Sequence, residues 1–232
     1  MTGRPAHRPS RRSTVIDAAM GLFALHPPEA VTVADIAAAA DMTAAAVYYH
    51  FPSKEHVLLE GLQGFTARYI ATMRELSRAD NDVDWASRLV AELLDWLEQN
   101  RTPATVYFAH SAGVDAAIEA LRRETRIEQV VLLARAIRTH LARSRSSVEP
   151  EVAAIGLVSL FENAASSWLT QDSVFLGLGR KRFIAETGTL AQRIVGARAA
   201  AESVRSRRAD GRAAISRSRP ARRITPAAGP SG

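Results

Sequence analysis

Residues Thr32 to Phe51 read TVADIAAAADMTAAAVYYHF, and their spacing predicts two short helices joined by a tight turn. Thr32 stands three residues before Asp35, so its hydroxyl can accept from the Asp35 amide while the carboxylate reaches back. Such a capping box opens a helix at Val33. Val33, Ile36, Ala37 and Ala40 then recur every three or four residues and give that helix one apolar face. Asp41 is the expected turn residue, because Asp tolerates the left-handed backbone region better than most residues other than glycine. Thr43 caps a second helix from Ala44 to about His50. On that helix Val47 and Phe51 point to the core, whereas Ala44, Ala45, Tyr48 and Tyr49 point outward. Tyr48, Tyr49 and His50, exposed side by side, are not explained by packing alone.

The longer run VTVADIAAAADMTAAAVYYHFPSKEHVL, Val31 to Leu58, resembles the N-terminal domain of the tetracycline-repressor-like (TetR) regulators. The aromatic pair, the Phe after it and the Ser-Lys-Glu that opens the next helix carry the resemblance, which spans roughly residues 12 to 62. It departs at Pro27-Pro28, where the family often has Gly-aromatic, and at Asp41, where the turn usually has Gly. Two prolines end a helix by removing donors and restricting the preceding residue, so the same geometry is reached by other means. The resemblance implies an all-α chain with an N-terminal three-helix helix-turn-helix domain. A long helix would join it to a C-terminal helical domain for ligand binding and dimerisation. It also implies that the second short helix enters the DNA major groove and that Lys54 contacts the DNA backbone.

The outward residues make a sparse base code. Ala44, Ala45 and Ala46 cannot hydrogen-bond a base edge, but they permit close backbone approach and contact with thymine methyls. Thr43, Tyr48, Tyr49 and His50 supply the polar reach, much of it to phosphates. Thr32, Val33 and Lys54 complete the expected DNA surface with Arg11 and Arg12. Residues 1–10 are read as a disordered basic arm, in which Arg4 and Arg8 join those two arginines to reach phosphates or the adjacent minor groove. Specificity is therefore expected to lean on DNA shape and on the arm.

Global charge would be a poor guide. Of the formal +6, residues 1–12 contribute +4 and residues 203–232 contribute +7, which leaves the body, 13–202, at −5. Zero Cys excludes disulfides, zinc fingers and thiol catalysis. The six His show no HExxH spacing, Gly177-Leu178-Gly179 is too weak for a nucleotide loop, and no GxSxG elbow exists. The chain is therefore not read as an enzyme, and no cofactor or metal is expected. There is no run of about 18 uninterrupted apolar residues and no apolar signal-peptide core, so a cytoplasmic protein without a membrane partner is expected.

In chain order, a first helix runs from Ser10 to about Leu25, and the helix-turn-helix domain is assigned to 11–56. A fourth helix continues through Leu58, Leu62, Phe65, Tyr69, Met73 and Leu76, roughly 30 Å, and links the reading head to an effector and dimerisation domain at 57–200. Arg78 to Asp82 reads as a polar break. A helix through Trp85 and Leu97 then ends at Asn100 to Pro103, followed by a short one around Thr105 to His110 and a long one from Val114 to about Arg143. The long one has Ile118, Leu121, Thr125, Val131 and Leu132 on one side, and Ser144 to Glu149 is a loop. The helix from about Pro150 to Leu169 is apolar nearly all round and so buried on more than one side. With a last helix at about 180–198 it would form a homodimer interface, as the resemblance implies. Residues 201–232 read as a disordered Arg-rich tail.

Trp96, Tyr107, Phe108, His110, Phe161, Asn163 and Trp168 are candidate liners of a small-molecule effector pocket, since large aromatics with a few polar groups suit such cavities. The expected partners are a palindromic double-stranded DNA operator, a second copy of the chain and an unidentified small-molecule effector. The function expected is a sequence-specific transcriptional regulator, a repressor modulated by that effector. A DNA-organising protein that binds through its Arg-rich ends is the alternative.

Overall fold

The computed structural model describes residues 11–78, 84–141 and 148–196. The expected basic arm 1–10, the tail 201–232, the centre of the polar break and most of the 144–149 loop lie outside the described residues. Those described belong to one compact unit, and every regular element among them is helical.

Helix α1 (Arg11–Leu25) ends before Pro27, and a single 3-10 turn at Pro28–Ala30 leads into α2 (Val33–Ala39) and α3 (Ala44–His50). Val15, Ala19, Phe23, Ile36, Val47 and Phe51 are buried and form the small core of this head. Helix α4 (Lys54–Leu76) adds Val57, Leu58 and Leu62 to that core, then continues into the body with Phe65, Tyr69 and Met73. Its 23 residues span about 35 Å. Gly61 lets α1 and α4 approach closely, because a Cβ there would stand 2.6 Å from the Met20 sulfur.

The body holds α5 (Trp85–Gln99), α6 (Arg101–Thr105), a π-helical turn at Val106–His110, α7 (Ala116–Leu141), α8 (Pro150–Thr170), α9 (Ser173–Leu178) and α10 (Arg180–Ile194). Helix α7 packs along α8, and α5 along α10. Helix α5 ends with Asn100 as its C-cap, inside the expected break at Asn100 to Pro103, and α6 follows at once from Arg101 to Thr105, with Pro103 inside it. That proline is the third residue of α6, within the first turn, where a missing N–H leaves no helical bond unmade. Helix α8 ends at Gln171 in the left-handed conformation, φ 52°, and Asp172 then caps α9 by accepting from the Val174 and Phe175 amides at 2.9 and 3.0 Å.

One register differs from expectation. On α7 the buried stripe runs through Ile118, Thr125, Gln129, Leu133 and Ile137, so Val131 faces outward and is 45% exposed. The Gln129 side chain takes the inward position and is fully buried with neither amide atom hydrogen-bonded. Helix α8 is long and apolar enough to cross a membrane, yet Ala154, Leu157, Val158, Phe161, Ala165, Trp168 and Leu169 are buried inside the body. Its outer face carries Val152 and Ile155, 61% and 50% exposed.

Candidate nucleic-acid interface

The turn between α2 and α3 is built as its residue types require. The Thr32 hydroxyl accepts from the Asp35 amide at 3.2 Å, and the Thr32 amide donates to the Asp35 carboxylate at 2.9 Å. The Thr32 hydroxyl and amide hold the Asp35 carboxyl below its usual range. Asp41 adopts φ 54°, and the Met42 amide closes the turn on the Ala37 carbonyl at 2.9 Å. Thr43 then caps α3 by accepting from the Ala46 amide at 3.2 Å. With Val47 and Phe51 anchored inward, Tyr48 and Tyr49 stand 56% and 85% exposed. The His50 ring lies edge-on to Tyr49, with centroids 5.1 Å apart. Thr43, Ala45, Thr32 and Arg11 are exposed on the head, and Ala44 and Val33 are half-buried. Two phenol rings set in water beside a capped helix with alanine-only base-facing positions suit a groove-entering element: the alanines allow approach and the phenols reach the backbone.

Arg12 is not part of a free arm. It lies within α1, donates from Nε to Glu60 at 3.0 Å and from Nη2 to the other Glu60 oxygen, and gives its third bond to the His50 carbonyl at 2.6 Å. Its guanidinium sits 4.2 Å from the Phe51 ring centroid. One side chain thus ties α1, the end of α3 and α4 together, a planar bidentate and stacking role that lysine could not fill. The partners are 48 and 38 residues away, so no local spacing signals them.

Lys54 has a comparable structural role. Its ammonium donates to the Pro28 and Val31 carbonyls, both at 2.7 Å, and so pins the α1–α2 connection to the start of α4. Only one of its three donors is left for a phosphate. Lys54→Met is expected to lower stability by about 1–3 kcal/mol, since two carbonyls lose a charged donor. Thermal melts compared with those of Tyr49→Ala would check this. A lysine serving DNA alone would leave the melt unchanged.

The expected effector residues do not gather in one place. Trp96, Tyr107, Phe108 and Phe161 join Phe65 and Tyr69, which the sequence reading did not include, in one six-ring cluster with contacting centroids 4.9 to 6.3 Å apart. Trp168 belongs instead to a second cluster with Phe175 and Phe183, and its Nε1 donates to Glu98 at 2.9 Å. Asn163 is exposed on α8 and donates to the Ser159 carbonyl one turn back. His110 points to the head, with Nδ1 donating to the Phe23 carbonyl of α1 at 2.7 Å. Within the first cluster the Tyr69 hydroxyl is fully buried without a hydrogen-bond partner, and burial raises its pKa well above the usual phenol value. Burial pushes the Tyr107 phenol up to about 12. Arg122 stands 5.1 Å over the Tyr107 ring and donates to the Tyr107 carbonyl at 2.6 Å. Nearby, partial burial raises the Glu162 carboxyl despite its pair with Arg126. Among the described residues no group of three or more His, Asp or Glu is arranged to hold a metal.

A family model described as "Bacterial regulatory proteins, tetR family" matches residues 15–60, the head and the start of α4. The HTH-type transcriptional repressor KstR2 of Rhodococcus jostii (strain RHA1) is 40% identical over 80 residues, which cover 33% of this chain and 39% of that protein. The fold also matches solved structures over most of its length. The fatty acid degradation regulator FadR from Bacillus halodurans superposes with TM-score 0.66 at 18% identity, covering 82% of this chain and 97% of that one. FadR from Bacillus subtilis, solved in complex with stearoyl-CoA, superposes with TM-score 0.64 at 14% identity, covering 80% and 98%. The capped helix pair with its Asp41 turn and the exposed Tyr48–Tyr49 surface lie within the stretch, residues 15–60, that matches the tetR family of bacterial regulatory proteins, and the helical body behind α4 shares the fold of the solved regulators.

Proposed function

We propose that the chain is a cytoplasmic, sequence-specific DNA-binding repressor that works as a homodimer and is released by a small-molecule effector. The observation that carries this reading is the outward pair Tyr48–Tyr49 on a helix whose other face is locked into a core by Val47 and Phe51. Residues 11–56 serve as the reading head and 57–200 as the effector and dimerisation domain. DNA contacts are assigned to Arg11, Thr32, Val33, Thr43, Ala44, Ala45, Tyr48, Tyr49 and His50, with the third Lys54 donor on a phosphate. The second copy covers α8 and α10, whose outer faces carry Val152, Ile155 and Leu190 in solvent. In that dimer the two α3 helices enter successive major grooves about 34–36 Å apart, so the operator is roughly palindromic. The effector binds in the body, and α4 carries its effect to the head through differential affinity for two states.

Selection tests the reading. The full chain is mixed with genomic fragments and excess random duplex at near-physiological salt, and the bound pool is sequenced. One palindromic motif is the expected result. A pool without any motif would mean sequence-independent binding and would overturn the repressor reading.

A further inference from the structure

We propose that the groove between the C-terminal end of α4 and the second half of α7 binds an amphiphilic anion, its acidic head held by Arg78 and Arg135 and its chain laid over Leu132 and Ala136. The proposal rests on the effector reading above and gives that effector a chemical class.

The groove encloses about 570 Å³ and is lined by Arg74, Ser77 and Arg78 from the end of α4 and by residues between Glu128 and Thr139 of α7. Three guanidiniums therefore face one carboxylate. Arg74 is already bonded to Glu128 at 2.8 Å, so the pair cancels. Arg78 and Arg135 are exposed, and neither guanidinium has a hydrogen bond or ion pair among the described residues. A cation at the end of α4 compensates the helix dipole, which accounts for Arg78 alone. Arg135 lies inside α7, more than a turn from its end, and its neighbours three and four residues away are Val131, Leu132, Arg138 and Thr139. None of these is an acid, so no helical pair explains it.

The floor of the groove differs from its rim. Val131 is 45% exposed, Leu132 is half-buried and Ala136 is buried, so apolar surface meets water beside the two free guanidiniums. The Ser77 hydroxyl is buried in the groove wall without a partner. An alkyl chain ending in an acidic group answers all of these at once. The head takes planar, charge-assisted bonds from the arginines and one from Ser77, and the chain removes the floor from water. A neutral lipid would leave the guanidiniums unused, and a small hydrophilic anion would leave the floor wet. From Glu128 to Thr139 α7 runs about 17 Å, room for a chain of medium length. The head bridges α4 and α7, so binding fixes the end of the very helix whose start carries the reading head.

Calorimetric titration of the full chain with decanoate, decyl phosphate and decanol, each below its micelle concentration, tests the site. At least one of the two acids is expected to bind saturably, one per chain and about tenfold or more tighter than decanol. Whichever acid binds tighter tells a carboxylate head from a phosphate head. In Arg78→Gln/Arg135→Gln, with an unchanged circular dichroism spectrum, the preference for the acid is expected to vanish. Equal binding of acid and alcohol by the native chain, or an undiminished preference in the variant, would overturn the proposal. The same ligands are then added to the protein–operator complex. Acid that binds with the arginine dependence but leaves DNA affinity unchanged upholds the groove and overturns the effector reading alone.

Discussion

Phe65→Ala is expected to lower the unfolding free energy by about 3–5 kcal/mol. Phe65 is fully buried at the centre of the ring cluster and touches Tyr69, Trp96, Tyr107 and Phe108, whose rings come from three different segments of the chain. Truncation would leave a void walled by stiff rings that cannot collapse into it. Its cost therefore falls at the upper end of large-to-small changes rather than near the average substitution. Urea unfolding followed by Trp fluorescence would measure it, with the denaturant slope unchanged. A loss under about 1 kcal/mol would mean that the rings do not pack as described. Tyr69→Phe is the matching control. It removes a hydroxyl that has no partner and leaves the ring stack intact, so stability should hold or rise slightly.

The second large effect is on DNA. Tyr48→Ala/Tyr49→Ala should weaken operator binding about 100-fold or more, through loss of two polar contacts and their covered surface. The melting free energy should stay within about 0.5 kcal/mol, because both side chains are mainly in solvent. Fluorescence anisotropy on the selected operator would provide the affinity, and a melt on the same sample the stability. Retention of native affinity would show that the outer face of α3 is not what reads DNA.

These two predictions rest on parts of the chain that were unequally legible. The capping box at Thr32, the left-handed Asp41 and the Thr43 cap were readable because each interaction closes within three to five residues. The inward direction of Val47 and Phe51 followed from helical spacing alone. Arg12 was misassigned to a free arm because its partners Glu60 and His50 come together only when three helices pack. Lys54 was read by resemblance as a phosphate ligand, and its bonds to Pro28 and Val31 depend on the loop that the two prolines shape. On α7 Val131 was placed on the side of Ile118 and Thr125, yet a helix 26 residues long drifts past any short pattern and the buried stripe runs through Gln129 instead. Of the expected effector liners, four meet in one cluster. Trp168, Asn163 and His110 do not, because type and helix membership say nothing of which neighbour a side chain meets. The π turn that turns Tyr107 and Phe108 into that cluster has no sequence signature at all.

The two fastenings of α1 have a consequence for protein engineering. At one end Arg12 reaches Glu60, six residues into the fourth helix, and at the other the Phe23 carbonyl receives His110 from deep in the chain. A chimera made by splicing another head on at residue 56, where the sequence suggests a seam, would cut the first fastening and orphan the second. A transplant that keeps its stability would bring its own helix start through position 60 with the head and present a carbonyl opposite His110. The head is thus a cassette whose edges lie in the body rather than in the linker.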